Sequence, residues 1–298
     1  MDTNQAGRAA GANGGRRRTT VDVVIPVYNE EKDLGRSVAT LRQYLLDLSP
    51  DWSWRIVVAD NASTDHTLAI ARELAERWPG QVSYVHLDQK GRGRALRRAW
   101  TESAADVVCY TDVDLSTDLA ALPPLVEALR DGYDVAIGSR LLRESRVARG
   151  LKRELISRTY NLIVRASHGV HFRDAQCGFK GVTRRVVEEI VPLVQDQAWF
   201  FDTELLIIAE RKGYRIKELP VAWTDDPDSR VRIARTAWED LKGLWRLKRY
   251  FPGEETPSAK RPGLLPSPLL APVVVAVAAA LALIGWLARR GRRSGPAM

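Results

Sequence analysis

Apolar residues recur along this chain in two alternating rhythms. Val21 to Val27 is a β-branched run of strand character. Glu30 to Leu48 then places Leu34, Val38, Leu41, Leu45 and Leu48 at helical spacing, and Trp54 to Ala59 returns to the strand pattern. The exchange continues through a helix over Thr64 to Trp78, a strand over Val82 to Leu87, a helix over Arg92 to Ser103 and a strand over Val107 to Tyr110. A helix over Leu119 to Arg130, with Pro123 and Pro124 near its start, and a strand over Asp134 to Ile137 complete the series. Five strands separated by helices of this length predict an α/β domain with a doubly wound, largely parallel sheet, whose ligands bind outside the carboxyl ends of the strands.

Past Gly138-Ser139-Arg140 the rhythm breaks. A basic loop (Arg143, Arg146, Arg149, Lys152, Arg153) leads into a helical segment near Leu155 to Ala166, and a polar connection, Arg173 to Lys180, leads into a short strand. A helix from about Arg184, another over Asp202 to Lys212 and a strand over Tyr214 to Trp223 bring the globular domain, 21–226, to its end. Residues 1–20 lack periodicity and read as a disordered arm. In 227–251 Ile233, Ala237, Leu241, Leu244 and Phe251 share one face, with Trp238 and Trp245 at its border and Lys242, Arg246 and Arg249 elsewhere. This is an amphipathic helix, suited either to docking on the domain or to lying on an anionic membrane. Repeated Pro and Gly make 252–268 a linker. Residues 269–287 are apolar for about 19 positions, near the ~20 that span a bilayer, and predict a transmembrane helix followed by a basic tail, 288–298. No signal peptide precedes the domain, and Arg289, Arg290, Arg292 and Arg293 favour the cytoplasmic side. The expectation is a membrane-anchored protein with its catalytic domain in the cytoplasm.

Composition narrows this picture only slightly. The 298 residues are 45% hydrophobic and 28% charged, as in ordinary globular domains, and the net charge of +8 is compatible with nucleic acid, a membrane surface or a phosphorylated substrate. Its concentration near the two ends and over Arg230 to Arg249 matters more than its size. Only Cys109 and Cys177 are present, which argues against a disulfide framework and fits a reducing compartment.

The candidate chemistry lies at the predicted strand ends. The apolar run Val107 to Tyr110 stops at Thr111-Asp112-Val113-Asp114, and a strand period of two would project both carboxylates to one side. A hard cation such as Mg²⁺ is held by one or two carboxylates and completed by phosphates and water. D-x-D also occurs by chance in solvated loops, so its neighbours decide. They are Pro26-Val27-Tyr28-Asn29-Glu30-Glu31 after the first strand, Asp60-Asn61-Ala62-Ser63-Thr64-Asp65 after the second and Lys90-Gly91-Arg92-Gly93 after the third. Singly, Glu30 and Glu31 would suit a helix N-terminus, and Ser63 or Thr64 an N-cap. Together the four loops offer an aromatic face, carboxylates, close backbone approach and cations, as a nucleoside diphosphate requires. A dinucleotide-binding G-x-G-x-x-G after the first strand and a P-loop are both missing; a nucleotidyltransferase stays compatible.

At this point the sequence resembles glycosyltransferase family 2, and within it the polyprenyl- and dolichyl-phosphate hexose synthases of the dolichyl-phosphate β-glucosyltransferase type. The resemblance covers about Val21 to Phe251 and rests on VIPVYNEE, VVADNASTD, KGRGRAL, YTDVDLST, AIGSR, DAQCGFKG and WFFDTELL in order. It implies the A-type glycosyltransferase fold, here with a C-terminal amphipathic helix and one transmembrane helix, an inverting mechanism, a nucleotide-sugar donor and Mg²⁺ or Mn²⁺. By the match, Pro26, Tyr28, Glu30 and Asp60 contact the nucleoside, Lys90 approaches the donor, Asp112 and Asp114 hold the metal with Asp112 also at the nucleotide, and Arg140 lies near the phosphates. Arg230, and more loosely Arg235, match arginines that bind the acceptor phosphate. Asp202 and Glu204 fall on the acceptor side to orient the phosphate or act as base, Asp202 being preferred, and Gln176 to Lys180 would shape the sugar pocket. His66, His86, His168 and His171 are scattered and are read as surface or turn residues. Mannosyl-phosphate synthases often carry a further Gln ligand two residues after the acidic pair, where this chain has Ser116, which weakens a mannose reading. The implied reaction moves glucose from UDP-glucose to a polyprenyl phosphate at the membrane, with no nucleic-acid partner. GDP-mannose as donor, a polysaccharide as acceptor, or a membrane-tethered binder without turnover are the alternatives.

Overall fold

The computed structural model describes residues 18–224 and 233–251. The first half follows the strand and helix alternation closely: β1 (Thr20–Val27), α1 (Leu34–Leu48), β2 (Ser53–Asn61), α2 (Thr67–Arg77), β3 (Val82–Leu87), α3 (Arg92–Glu102) and β4 (Val107–Thr111). A 3-10 turn at Leu119–Ala121 then runs into α4 (Leu122–Arg130), and β5 (Val135–Ser139) follows. The second half adds β6 (Arg146–Ala148), α5 (Leu151–His168), β7 (Phe179–Thr183), α6 (Arg184–Glu189), α7 (Phe201–Arg211), β8 (Ile216–Pro220), β9 (Ala222–Thr224) and α8 (Ile233–Tyr250).

Seven strands form one sheet in the order β3-β2-β1-β4-β7-β5-β8, and β6 and β9 form a separate parallel pair. The alternation of strand side chains builds a core on each face. Val21, Val23, Ile25, Val107 and Cys109 pack with Leu34, Leu41 and Leu45 of α1 and Leu122, Leu125 and Leu129 of α4 on one side. Val24, Val108 and Tyr110 pack with Leu96 and Trp100 of α3, Val164 of α5, Leu205 and Ile208 of α7 and Leu244 and Leu247 of α8 on the other. A sheet covered on both faces explains the nearly continuous apolar runs of β1 and β4.

β4 and β5 are not neighbours, because β7 inserts between them and pairs antiparallel with both. Two expectations need correction. The Tyr214 to Trp223 strand divides at Val221 into β8, which joins the main sheet beside β5, and β9, which pairs with β6 from the stretch read as a basic loop. The membrane-anchored placement with a cytoplasmic catalytic domain is also corrected: among the described residues no helix is long and apolar enough to cross a membrane. α8 mixes its apolar face with Arg, Lys, Asp and Glu, and 269–287 lies outside the described residues, as do the arm, the linker and the basic tail.

α8 instead docks on the domain through Leu244 and Leu247 and through Gly243, where a Cβ would run into the Phe200 ring. Substituting Gly243→Leu should therefore lower stability by about 1–3 kcal/mol through overpacking, read as a reduced denaturation midpoint in urea, whereas Trp238→Leu on the exposed side should leave it within about 0.5 kcal/mol.

Candidate active site

Because β1, β2, β3, β4 and β5 run parallel, their carboxyl ends bring their following loops to one edge. The first two loops are tied together by short polar side chains. Asn29, at a positive φ of 56°, donates its backbone N–H to Ser63 Oγ at 3.0 Å, and its Oδ1 accepts from Thr64 N at 2.8 Å. Glu30 N donates to Thr67 Oγ1 at 2.8 Å. Ser63 and Thr64 thus fasten one loop to the other and do not cap α2, whose N-cap residue is His66. Pro26 and Tyr28 lie at the end of β1, and Lys90 places its Nζ over the Tyr28 ring, 3.3 Å from the centroid.

Asp60 is fully buried at the end of β2. Its register partner on β3 is His86, whose Nδ1 lies 2.6 Å from Asp60 Oδ2, while Asp60 Oδ1 has no hydrogen-bond partner among the described residues. A buried carboxylate oxygen left open at a sheet edge is a ready acceptor for a ligand N–H or O–H. His86 therefore braces the site, contrary to the surface or turn role expected for it. The parallel pairing of β2 and β3 would have revealed it, had the register been legible.

Asp112 and Asp114 stand just past the end of β4. The strand stops at Thr111, and a turn closed by Leu115 N to Asp112 O at 3.1 Å carries the two carboxylates, so turn geometry replaces the period-two projection expected for a continuous strand. Asp114 Oδ1 accepts from Ser116 N at 2.9 Å. Asp112 abuts Gly178, where any Cβ would collide with the carboxylate. Among the described residues no group of three or more His, Cys, Asp or Glu side chains could hold a metal. The donor set nevertheless fits a hard cation: Asp112 and Asp114 would offer two carboxylates from one turn, and phosphates and water would have to complete the coordination.

The residue that joins the two sides of the site is Arg92, which the sequence reading passed over in favour of Lys90. Its Nη2 donates to Asp112 Oδ1 at 2.8 Å and its Nη1 to Asp202 Oδ2 at 2.6 Å. The guanidinium also lies over the rings of Tyr110 and Trp199, 4.8 and 5.2 Å from their centroids. Gly93, behind it, lets α3 press against Phe201. Asp202, in the first turn of α7, accepts from the Tyr110 hydroxyl at 2.6 Å and lies 3.5 Å from Nζ of the fully buried Lys180. Burial pushes the Asp202 carboxyl up, but Lys180, Arg92 and the Tyr110 hydroxyl outweigh it and hold it below the usual carboxylate range. Lys180 is the register partner of Tyr110 across the antiparallel β4–β7 pair, a pairing the sequence pattern did not show.

Arg140, expected near the phosphates, sits in a buried bidentate pair with Asp174, Nε to Oδ2 and Nη2 to Oδ1 both at 2.8 Å. Glu204 is likewise buried, accepting from Asp196 N and from Arg246 of α8 at 2.7 Å. Arg230 lies outside the described residues, and Arg235 falls in the first turn of α8.

A largely parallel seven-stranded sheet whose following loops gather at one edge, with a buried acid, an aromatic–lysine rim and a carboxylate pair, matches the A-type glycosyltransferase fold. The chain belongs to glycosyl transferase family 2, whose profile matches residues 22–191. It is 38% identical over 226 residues to Glycosyltransferase AglD of Haloferax volcanii, a match that covers 75% of this chain but spans only about a third, 35%, of that protein. It is 30% identical over 247 residues to a dolichyl-phosphate beta-glucosyltransferase of Trichomonas vaginalis, covering 76% of each. Among solved structures, glucosyl-3-phosphoglycerate synthase of Mycobacterium tuberculosis with Mn²⁺, UDP-glucose and phosphoglyceric acid shares the fold at a TM-score of 0.59 and 19% identity, over 79% of this chain and 82% of that one.

The Arg140–Asp174 pair carries a prediction of its own. Burial raises the Asp174 carboxyl, but Arg140 more than compensates and holds it at about 2. Since the folded pKa lies below the unfolded ~3.9, the pair's contribution is complete above the unfolded value and is lost as pH falls towards the folded one. Arg140→Met should cost about 3–5 kcal/mol in urea unfolding at pH 7, and adding Asp174→Leu should recover most of that loss. A single variant that folds normally yet loses nucleotide affinity would instead give Arg140 the phosphate-binding role.

Proposed function

We propose that the chain transfers glucose from UDP-glucose, with inversion at the anomeric carbon, to the phosphate of a polyprenyl or dolichyl lipid. The observation that carries this reading is the Asp112–Arg92–Asp202 bridge, which couples a diphosphate-binding turn to the acceptor side of a family 2 fold. Asp60 Oδ1, open and buried, receives a ring N–H of the uracil, while Tyr28 and Lys90 cover the base and Pro26 and Glu30 line its loop. Asp112 and Asp114 would hold Mg²⁺ or Mn²⁺, which when bound neutralises the diphosphate of the departing UDP. The Mycobacterium synthase supports both the donor and the ion by binding UDP-glucose with Mn²⁺.

The acceptor supplies its own nucleophile. A phosphate monoester has a second pKa near 6 and is largely dianionic at neutral pH, so its oxygen attacks the anomeric carbon while the bond to UDP breaks and the electron pair leaves with UDP. No proton has to be removed. Asp202, preferred as the base on sequence grounds, then acts as an ionised counter-charge that fixes Arg92 and Lys180, and those cations face the developing negative charge. Arg140 acts behind it by holding Asp174. Arg230 and Arg235 are assigned to the lipid phosphate. α8 turns Trp238 and Trp245 outward, both 60% exposed, with Lys242 and Arg249 stacked on them, a face suited to the headgroup layer from which such a phosphate is drawn.

With radiolabelled UDP-glucose, Mg²⁺ and a polyprenyl phosphate, organic-extractable label should form and Asp114→Ala should lower its rate about 100-fold or more. Label appearing only in a water-soluble polymer, or only with GDP-mannose, would refute the acceptor or the donor respectively. Asp60→Asn should weaken UDP binding by calorimetry about tenfold and leave the melting temperature within a few degrees.

A further inference from the structure

α8 reaches the pocket loop with a single carboxyl. Asp240 lies on its inward face, 2% exposed, and its Oδ2 accepts from Gln176 Nε2 at 3.3 Å. Its Oδ1 has no hydrogen-bond partner among the described residues. Gln176 itself is exposed at the loop that carries Asp174 on one side and, two residues on, the Gly178 that abuts Asp112. Beside the same carboxyl stands Tyr160 of α5, whose hydroxyl lies 2.9 Å from Thr203 Oγ1, next to Asp202. Asp240 thus sits behind an exposed amide two residues from the glycine that abuts Asp112, and on its other side Tyr160 leads through Thr203 to the neighbour of Asp202. None of the roles assigned above uses it.

We propose that Asp240 is a positioning residue for the transferred sugar: from α8 it fixes the amide of Gln176 so that the amide oxygen is presented to a hydroxyl of the hexose. The assignment rests on the nucleotide-sugar reading given above. Ionised, Asp240 accepts from the Gln176 NH₂ and turns the Gln176 oxygen outward as an acceptor. Protonated, it donates to that oxygen, and the amide offers its NH₂ outward instead. The group is placed to change state near neutrality. Burial, with Asp196 from the segment before α7 and Glu239 from α8 as like charges, pushes its carboxyl up to about 7, against the hydrogen bonds from Tyr160 and Gln176. Sugar recognition should therefore strengthen as pH rises through neutrality, while recognition of the nucleotide alone should not.

The test is calorimetric binding of UDP and of UDP-glucose to the full chain from pH 6 to 8.5, for the wild type, Asp240→Asn, Gln176→Ala and the double variant, each checked by thermal melting. The expected result is a wild-type preference for UDP-glucose over UDP that grows with pH, and a pH-independent preference in Asp240→Asn that is about tenfold lower, with UDP affinity within twofold. Gln176→Ala should show the same loss and the double variant no further one, as for two residues acting through a single contact. Equal losses for UDP and UDP-glucose, additive losses, or a pH-independent wild-type preference would overturn the role of Asp240 alone. A wild type that binds neither compound would overturn the donor reading and this assignment with it.

Discussion

Arg92 joins two carboxylates that reach the site from different directions, Asp112 from the turn after β4 and Asp202 from the first turn of α7. Opposite charges about 4 Å apart attract by about 4 kcal/mol at an effective dielectric of 20, and these closer pairs attract somewhat more, which offsets burial when every partner is satisfied. With Lys180 the cluster holds two acids and two bases, so it is neutral as a unit and each member depends on the others. The glycines of KGRGRAL serve the same approach: a Cβ at Gly91 would run into the Gln197 carbonyl, and Gly93 lets the helix come close enough to Phe201 for Arg92 to span the gap.

The same cluster changes what Asp202 can do. A free carboxylate at a helix N-terminus beside the acceptor would be a reasonable base. A carboxylate already accepting from Arg92 and Tyr110, with Lys180 alongside, holds its charge too tightly to take up a proton readily. A dianionic phosphate acceptor asks for no such step, so the electrostatics of the site and the chemistry of the proposed acceptor agree. The relation of α8 to the domain follows a similar logic. Its inward face is fixed by Gly243 on Phe200, Arg246 on Glu204 and Asp240 on Gln176, so a helix expected from its amphipathic pattern carries buried polar contacts as well as apolar ones.

Much of the first half was legible because strand and helix alternate there with local periodicity. β3 has the bounds its pattern predicts, and β1, β2, β4 and α3 differ by one or two residues. α1 begins four residues later than Glu30, since Glu30 and Glu31 belong to the loop network and do not open the helix. The acidic pair, Asp60 and the rim residues Tyr28 and Lys90 were legible for the same reason, as polar interruptions at strand ends. What escaped were the facts that live in pairing. Nothing local marks β7 as antiparallel or Tyr110 as the neighbour of Lys180, and only the register sets His86 against Asp60. Arg92 escaped because a basic residue between two glycines looks like a solvent-facing cation until its partners, twenty and 110 positions away, are seen.

The reversal of β7 has a consequence for how such a site is assembled. A parallel sheet can dress its functional edge only with segments that come after strands. By running the other way, β7 admits a segment that comes before one, so 174–178 enters the edge between the loops that follow β4 and β5. The loops after the first four strands lie between Pro26 and Asp118, whereas 174–178 and α7 come from much later in the chain, and the two groups meet at the β4–β7 pair and through Arg92 on Asp202. A change confined to 174–178 would therefore alter one side of the edge and leave the loops after β1, β2 and β3 as they are.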